Sequence, residues 1–173
     1  DGKVLDEELM PDLAPEKVVA AYKLMTLSRV ADEKAFSYQR QGRLSTFPPN
    51  MGQEAAAVGS AIALGENDWL VPAFRELAAW VQRGVPLSAF YMYYGGYELG
   101  TAFTAKTRVL PINVPIASQI PHAAGLGYAI KLKRLEEVVL CYLGDGATSQ
   151  GDFHEGLNFA GVFNTPTVFF INN

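Results

Sequence analysis

Residues 143–173 read LGDGATSQGDFHEGLNFAGVFNTPTVFFINN. With the preceding VVLCY (138–142), the stretch opens on a continuous apolar run that ends in Gly144-Asp145-Gly146. A second apolar run, TVFFI (167–171), ends in Asn172-Asn173. Short runs without polar interruption fit strands buried in a parallel sheet. Between them DFHEGLNFAGVF (152–163) is apolar on most sides, which predicts a buried helix. Strand, helix, strand is a βαβ unit, so the two strands run parallel and their tips lie at one edge of the sheet. Asp145 and the two asparagines, distant in sequence, are thereby brought to one rim. Open α/β sheets bind ligands at that rim.

The residue types at the rim suggest a chemistry. Gly144 and Gly146 predict a sharp turn with close backbone approach. The helix that begins near Asp152 directs its first amides toward an anion. A carboxylate, a carboxamide and a phosphate-type anion together suit a hard cation. Mg²⁺ takes one or two protein oxygens and completes its shell with phosphate oxygens and water. The expectation is a Mg²⁺-diphosphate site. GDGATSQG lacks the G-x-G-x-x-G spacing of a dinucleotide fold, and no Walker lysine is present. No clustering of Cys or His offers a zinc or iron site.

Upstream, residues 1–14 read as an acidic arm with Gly2 and Pro11, and Pro15 suits a first helical turn. Ala20, Leu24, Leu27, Ala31, Ala35 and Tyr38 form one apolar helical face. Asp32 and Glu33 precede Arg40 and Arg43 as charges that follow the helix dipole, with Gly42 as the stop. LSTFPPNM (44–51) is a loop forced by Pro48-Pro49. GQEAAAVGSAIALG (52–65) is a helix of small residues, opened by Gln53 and Glu54. WLVPAFRELAAWVQRG (69–84) gives a short strand or turn, then a helix from about Phe74. PLSAFYMYYGG (86–96) is an aromatic helix whose Tyr91–Tyr94 serve the core or an interface. Residues 98–119 form a long loop with one or two short extended pieces, and 120–136 return to helix. The fold class is therefore α/β: an N-terminal helical region and a parallel sheet flanked by helices, in one domain spanning 15–173.

Composition bounds the function. The chain has 173 residues, 49% hydrophobic and 18% charged, which is globular and large enough for a real core. A net charge of −4 with scattered Lys and Arg points away from nucleic acid. No run approaches a membrane span, and no charged-then-apolar leader opens the sequence. Cys141 is the only cysteine, which excludes an internal disulfide and suits a reducing compartment. It reads as a small core residue. His154, inside the last helix, reads as a satisfied structural histidine; His122 reads either as part of a helix start or as the edge of the site.

Four blocks carry a resemblance: QRQGRL (39–44), GQEAA (52–56), SQIPHAAG (118–125) and GDGATSQGDFHEGLNFAG (144–161). GDG followed at a distance by NN resembles the thiamine diphosphate motif. The four blocks in this order resemble alpha subunits of the decarboxylating component of 2-oxo acid dehydrogenase complexes, with pyruvate dehydrogenases as the nearest group. The resemblance covers the chain from about Ala20 to Asn173. It implies a thiamine-diphosphate-binding fold, of which this chain is the N-terminal half. It also implies oxidative decarboxylation of a 2-oxo acid, with the acyl group passed to lipoamide. Branched-chain 2-oxo acid and acetoin dehydrogenases are alternatives, as is a non-catalytic subunit that only binds partners. The implied partners are a beta subunit, in an alpha2-beta2 heterotetramer, and the lipoyl acyltransferase. The implied location is the cytoplasm, or the mitochondrial matrix in a eukaryote.

The resemblance also implies roles residue by residue. Asp145 coordinates Mg²⁺. The second ligand is an asparagine one residue farther from Pro166 in the family than Asn173 is here, so it is either Asn173 or an asparagine that follows it. Gly144, Gly146 and Ala147 carry the diphosphate turn, with Gly146 and Ala147 donating backbone amides. Arg75 adds a cationic contact, and Phe74 stands where the family often has a tyrosine. Val114 and Ile116 lie against the aminopyrimidine ring, Ile116 through its backbone, in a stretch where many members carry glycine. Phe47 either anchors its loop or lines the substrate entrance. The family's catalytic glutamate belongs to the beta subunit, and its histidine to a loop after the asparagine pair.

Overall fold

The computed structural model describes residues 6–103 and 105–173. The first five residues of the expected N-terminal arm, and Thr104 in the long loop, lie outside the described residues. Residues 6–14 carry no helix or strand.

Helix α1 spans Pro15–Arg40, starting where Pro15 fits the first turn. It buries Ser28, Ala31, Asp32 and Ala35 and stops before Gly42, which takes the left-handed φ of +70°. Helix α2 (Glu54–Ile62) buries Ala57, Val58 and Ala61. Strand β1 (Trp69–Val71) leads to helices α3 (Leu77–Gln82) and α4 (Leu87–Tyr94). Residues 98–119 hold two short 3-10 turns and one extended piece, in which Val109 bridges Leu70 in parallel. Helix α5 (Gln119–Leu132) follows, then strand β2 (Val139–Gly144), helix α6 (Gly151–Phe163) and strand β3 (Thr167–Asn172).

The sheet is parallel with order β1-β2-β3. Central β2 is buried on both faces, as its uninterrupted apolar run requires. Side chains alternate along a strand, so β2 serves two cores. Leu140 and Tyr142 pack with residues of α1–α4, including Val58, Trp80 and Phe90. Val139, Cys141 and Leu143 pack with Ile120, Ala123 and Ile130 of α5. Helix α6 crosses α5 closely at Gly156, where an added Cβ would stand 2.7 Å from Ile120 Cγ2.

Three expectations are corrected. The helix after β1 begins at Leu77 rather than near Phe74, because a buried carboxylate binds the amides of the intervening turn. Helix α6 and strand β3 are not buried all round. Helix α6 buries only Gly156 and Ala160, and Val162 is 70% exposed. It packs on α5 with one side only, and β3 forms the edge of the sheet with Val168 and Ile171 exposed. Asp32 is not a surface charge following the helix dipole: it is fully buried. Cys141 is a core residue as expected, and burial pushes its thiol pKa up.

Candidate cofactor site

All three strands point their C-terminal ends at one edge. Val71 pairs with Cys141, and Gly144 pairs with Asn172. Arg75 and Asp145 each lie four residues past the Val71–Cys141 pair. Asp145 and Asn173 each lie one residue past the Gly144–Asn172 pair. The chain therefore delivers a cation, a carboxylate and a carboxamide to the same rim.

At the tip of β2, Asp145–Ser149 forms a short 3-10 turn. Thr148 Oγ1 donates to the Asp145 carbonyl at 2.7 Å, and the Gln150 amide donates to the Ala147 carbonyl at 3.0 Å. Ala147 is buried with Leu143 in the α5-side core and anchors the turn. The Asp145 side chain is exposed, as is that of Asn173. Neither glycine is needed for a left-handed turn: Gly144 has φ −91°, and Gly146 is not among the residues at positive φ. A Cβ at either position would meet nothing within 4 Å. The missing side chains leave open space beside Asp145 rather than relieving an internal clash. This corrects the expected reason for the glycines and suits a group approaching from outside the chain.

The second part of the site is a cavity of about 740 Å³, lined by the 45–49 loop, Phe74, Arg75, Tyr93, Tyr94, Val114 and Ile116, with Gly96 and Glu98 completing it. Five of the residues singled out in the sequence thus share one cavity: Phe47, Phe74, Arg75, Val114 and Ile116. Asp145, Gly146, Ala147 and Asn173 are not in its lining; they stand at the strand tips of the same sheet edge. Among the lining residues Arg75 is the only cation. Its guanidinium lies 5.1 Å from the Phe74 ring centroid and forms no salt bridge among the described residues.

Buried polar groups hold the walls in place. Asn50 is the strut. Its backbone amide donates to Asp32 Oδ2 at 2.5 Å and its Nδ2 to Asp32 Oδ1 at 3.1 Å, while its Oδ1 accepts the Leu77 amide at 2.9 Å. The loop bearing Phe47 is thereby tied to α1 and to the start of α3. Burial pushes the Asp32 pKa up, against the opposing pull of the Asn50 hydrogen bonds. Ser45 donates both N–H and Oγ–H to the Tyr94 carbonyl at 2.8 Å, and Tyr94 Oη donates to the Phe74 carbonyl at 3.4 Å. Phe47 is buried, edge-on to Phe90 and Tyr94, so it anchors its loop and also lines the cavity. The Asn113 amide donates to the Ala73 carbonyl at 3.0 Å, and Ser118 Oγ donates to Asn113 Oδ1 at 2.8 Å. Next to Ile116, Ala117 is fully buried with φ +72°, a conformation that costs an L-residue about 1 kcal/mol. That strained residue directly follows Val114-Pro115-Ile116, the stretch where many members of the resembled family carry glycine.

Glu54, the first residue of α2, ties the preceding turn to α1, accepting the Gly52 amide at 2.9 Å and Arg29 Nε at 2.6 Å. The Arg29 hydrogen bond holds its pKa below the usual carboxylate range. His154 is exposed and stacks edge-on against Phe153, which corrects the expectation of an internal histidine. His122 is exposed, with Nδ1 2.8 Å from the Ser118 carbonyl. Asp32, Asn50 and Glu76 were not foreseen as site residues. The one sequence signal was Asp32 itself, a charge four residues from Ser28 and beside the apolar face formed by Ala31 and Ala35.

The donor set fits a hard cation with a diphosphate. One exposed carboxylate and one exposed carboxamide lie at adjacent parallel strand tips, beside open space over two glycines. Mg²⁺ needs few protein oxygens when phosphate and water supply the rest. Among the described residues no three His, Cys, Asp or Glu side chains converge into an all-protein metal cage. No described helix is long and apolar enough to cross a membrane.

Residues 22–173 match the family model described as "Dehydrogenase E1 component". The whole chain aligns with proteins named "Pyruvate dehydrogenase E1 component subunit alpha". Identity is 44% to that of Acholeplasma laidlawii, 42% to that of Mycoplasma genitalium and 36% to that of Staphylococcus aureus. The alignments cover 50%, 48% and 47% of those proteins, so the chain spans about half the length of the curated relatives it matches. The chain belongs to the dehydrogenase E1 component family.

Proposed function

We propose that this chain is the part of a pyruvate dehydrogenase alpha subunit that binds Mg²⁺ and thiamine diphosphate. The enzyme it serves decarboxylates a 2-oxo acid oxidatively and passes the acyl group to lipoamide. The observation that carries the reading is the Gly144–Asn172 pairing, which sets Asp145 beside Asn173 at the sheet edge that also bears Arg75. In this reading Asp145 and Asn173 hold the metal. The open backbone at Gly144, Gly146 and Ala147 receives the diphosphate, and Arg75 offsets its charge. Val114 and the Ile116 backbone orient the aminopyrimidine ring. Phe47, Phe74 and Tyr94 give the cavity apolar walls that exclude water. The electron-sink chemistry of decarboxylation is the cofactor's own. The proton-handling glutamate comes from a beta subunit, so the competent unit is an alpha–beta assembly, placed in the cytoplasm of a bacterium.

The test uses the full-length alpha chain assembled with its beta partner. Titration calorimetry with thiamine diphosphate is expected to give binding that requires Mg²⁺. Decarboxylation is expected to favour pyruvate over branched-chain 2-oxo acids and acetoin. An intact assembly that binds no thiamine diphosphate in the presence of Mg²⁺ contradicts the reading.

A further inference from the structure

The turn that carries Arg75 is held from inside by a carboxylate. Glu76 is 3% exposed, and its Oε2 accepts the amides of Ala73 at 3.0 Å and Arg75 at 3.1 Å. Two carbonyls of the turn are held from neighbouring segments. The Ala73 carbonyl accepts Asn113, and the Phe74 carbonyl accepts Tyr94. Taking a carboxylate out of water is costly. A start for the six-residue helix α3 does not explain that cost, because Ser, Thr, Asp or Asn caps a helix without deep burial. The amides that Glu76 binds belong to the turn before α3. That turn presents the one cationic side chain of the cavity, Arg75, on its outer side.

We propose that Glu76 is a positioning residue, acting through Arg75: its buried carboxylate fixes the Ala73–Arg75 turn so that the guanidinium meets the diphosphate. The inference rests on the reading of Arg75 as a diphosphate contact. Two convergent hydrogen bonds set the direction in which the Arg75 Cα–Cβ bond leaves the turn, and the Phe74 ring beneath the guanidinium sets the rest of its path. Loss of the carboxylate frees both amides and lets the cation swing.

The probe is inorganic pyrophosphate with Mg²⁺, titrated into the full-length alpha–beta assembly. Glu76→Ala is expected to weaken binding on the order of tenfold, the scale of lost orienting contacts at a site. Glu76→Gln keeps an acceptor oxygen and is expected to stay within about threefold of the parent. Glu76→Asp, which retains the charge but is too short to reach both amides, is expected to weaken binding while leaving the fold intact. In an Arg75→Ala background each of these effects is expected to vanish, since additivity fails for residues that act as one unit. Equal losses with and without Arg75, or no loss in Glu76→Ala and Glu76→Asp, overturn the inference and leave the Arg75 reading standing. If Arg75→Ala itself does not change pyrophosphate affinity, the Arg75 reading falls and the inference falls with it.

Discussion

Asn172 pairs with Gly144 on the last rung of the β2–β3 ladder, so Asp145 and Asn173 are the first residues past that rung on adjacent parallel strands. The register that fixes this pair is fixed in turn by burial. A one-residue slip of β3 would exchange its two faces and move Phe169 and Phe170 away from the cores they pack against. Packing in the middle of the sheet therefore determines which polar groups meet at its edge.

The open space over the β2 tip gives the first prediction. A Cβ at position 146 meets nothing within 4 Å, so Gly146→Ala is expected to change unfolding free energy by less than about 1 kcal/mol. The same methyl group occupies the space assigned to the diphosphate, and cofactor affinity is expected to fall on the order of tenfold or more. Urea denaturation and calorimetry on one variant separate the two effects. A variant with unchanged affinity would argue that the turn does not face the cofactor.

Asn50 gives the second. Replacement by leucine leaves the Leu77 amide without its acceptor and deprives the buried Asp32 carboxylate of one donor. The expected loss is about 2–4 kcal/mol, read from urea denaturation. A loss below about 1 kcal/mol would show that the strut is replaced by water or by local rearrangement.

The third prediction concerns pH. Burial pushes the Glu76 pKa from 4.5 up to about 7, against the pull of the Arg75 and Ala73 amides and the Arg75 charge. Tyr94, Cys141 and Tyr142 face Glu76 and feel its charge. A carboxyl group whose pKa is raised by folding contributes stability that is complete below its unfolded pKa. That contribution is lost as pH climbs through the folded pKa. Between about pH 5 and pH 8 the parent is expected to lose about 2–3 kcal/mol relative to Glu76→Gln. Asp32 shifts in the same direction but is common to both proteins and cancels in the comparison. Parallel pH profiles for parent and variant would contradict the assignment.

The two long strands and the Gly-Asp-Gly turn were legible because each is a local signal: an uninterrupted apolar run, then glycines. The parallel pairing of their tips followed from topology alone. The cavity was legible only through resemblance, because its walls come from loops and the end of α4, whose meeting depends on long-range packing. The Asp32–Asn50–Leu77 link was not legible for the same reason: a charge on a long helix gives no sign of burial until the loop that covers it is placed. Helix α6 was expected to be buried because Phe159, Val162 and Phe163 spread its apolar residues around the axis. In this chain α5 covers only the Gly156–Ala160 side. Glu76 was invisible because FREL reads as an ordinary helix start. The carboxylate instead turns back onto the two amides that precede it.

The most direct test of the central claim is Mg²⁺-dependent thiamine diphosphate binding by the full-length alpha–beta assembly, parent against Asp145→Ala. The Asp145 carboxylate is exposed and forms no side-chain hydrogen bond among the described residues, so its removal is expected to leave the melting temperature nearly unchanged. Cofactor affinity is expected to drop on the order of 100-fold, and its dependence on Mg²⁺ to weaken, as a lost charged ligand to a hard cation requires. Unchanged affinity and unchanged Mg²⁺ dependence in a folded variant would mean that the metal and the diphosphate are held elsewhere.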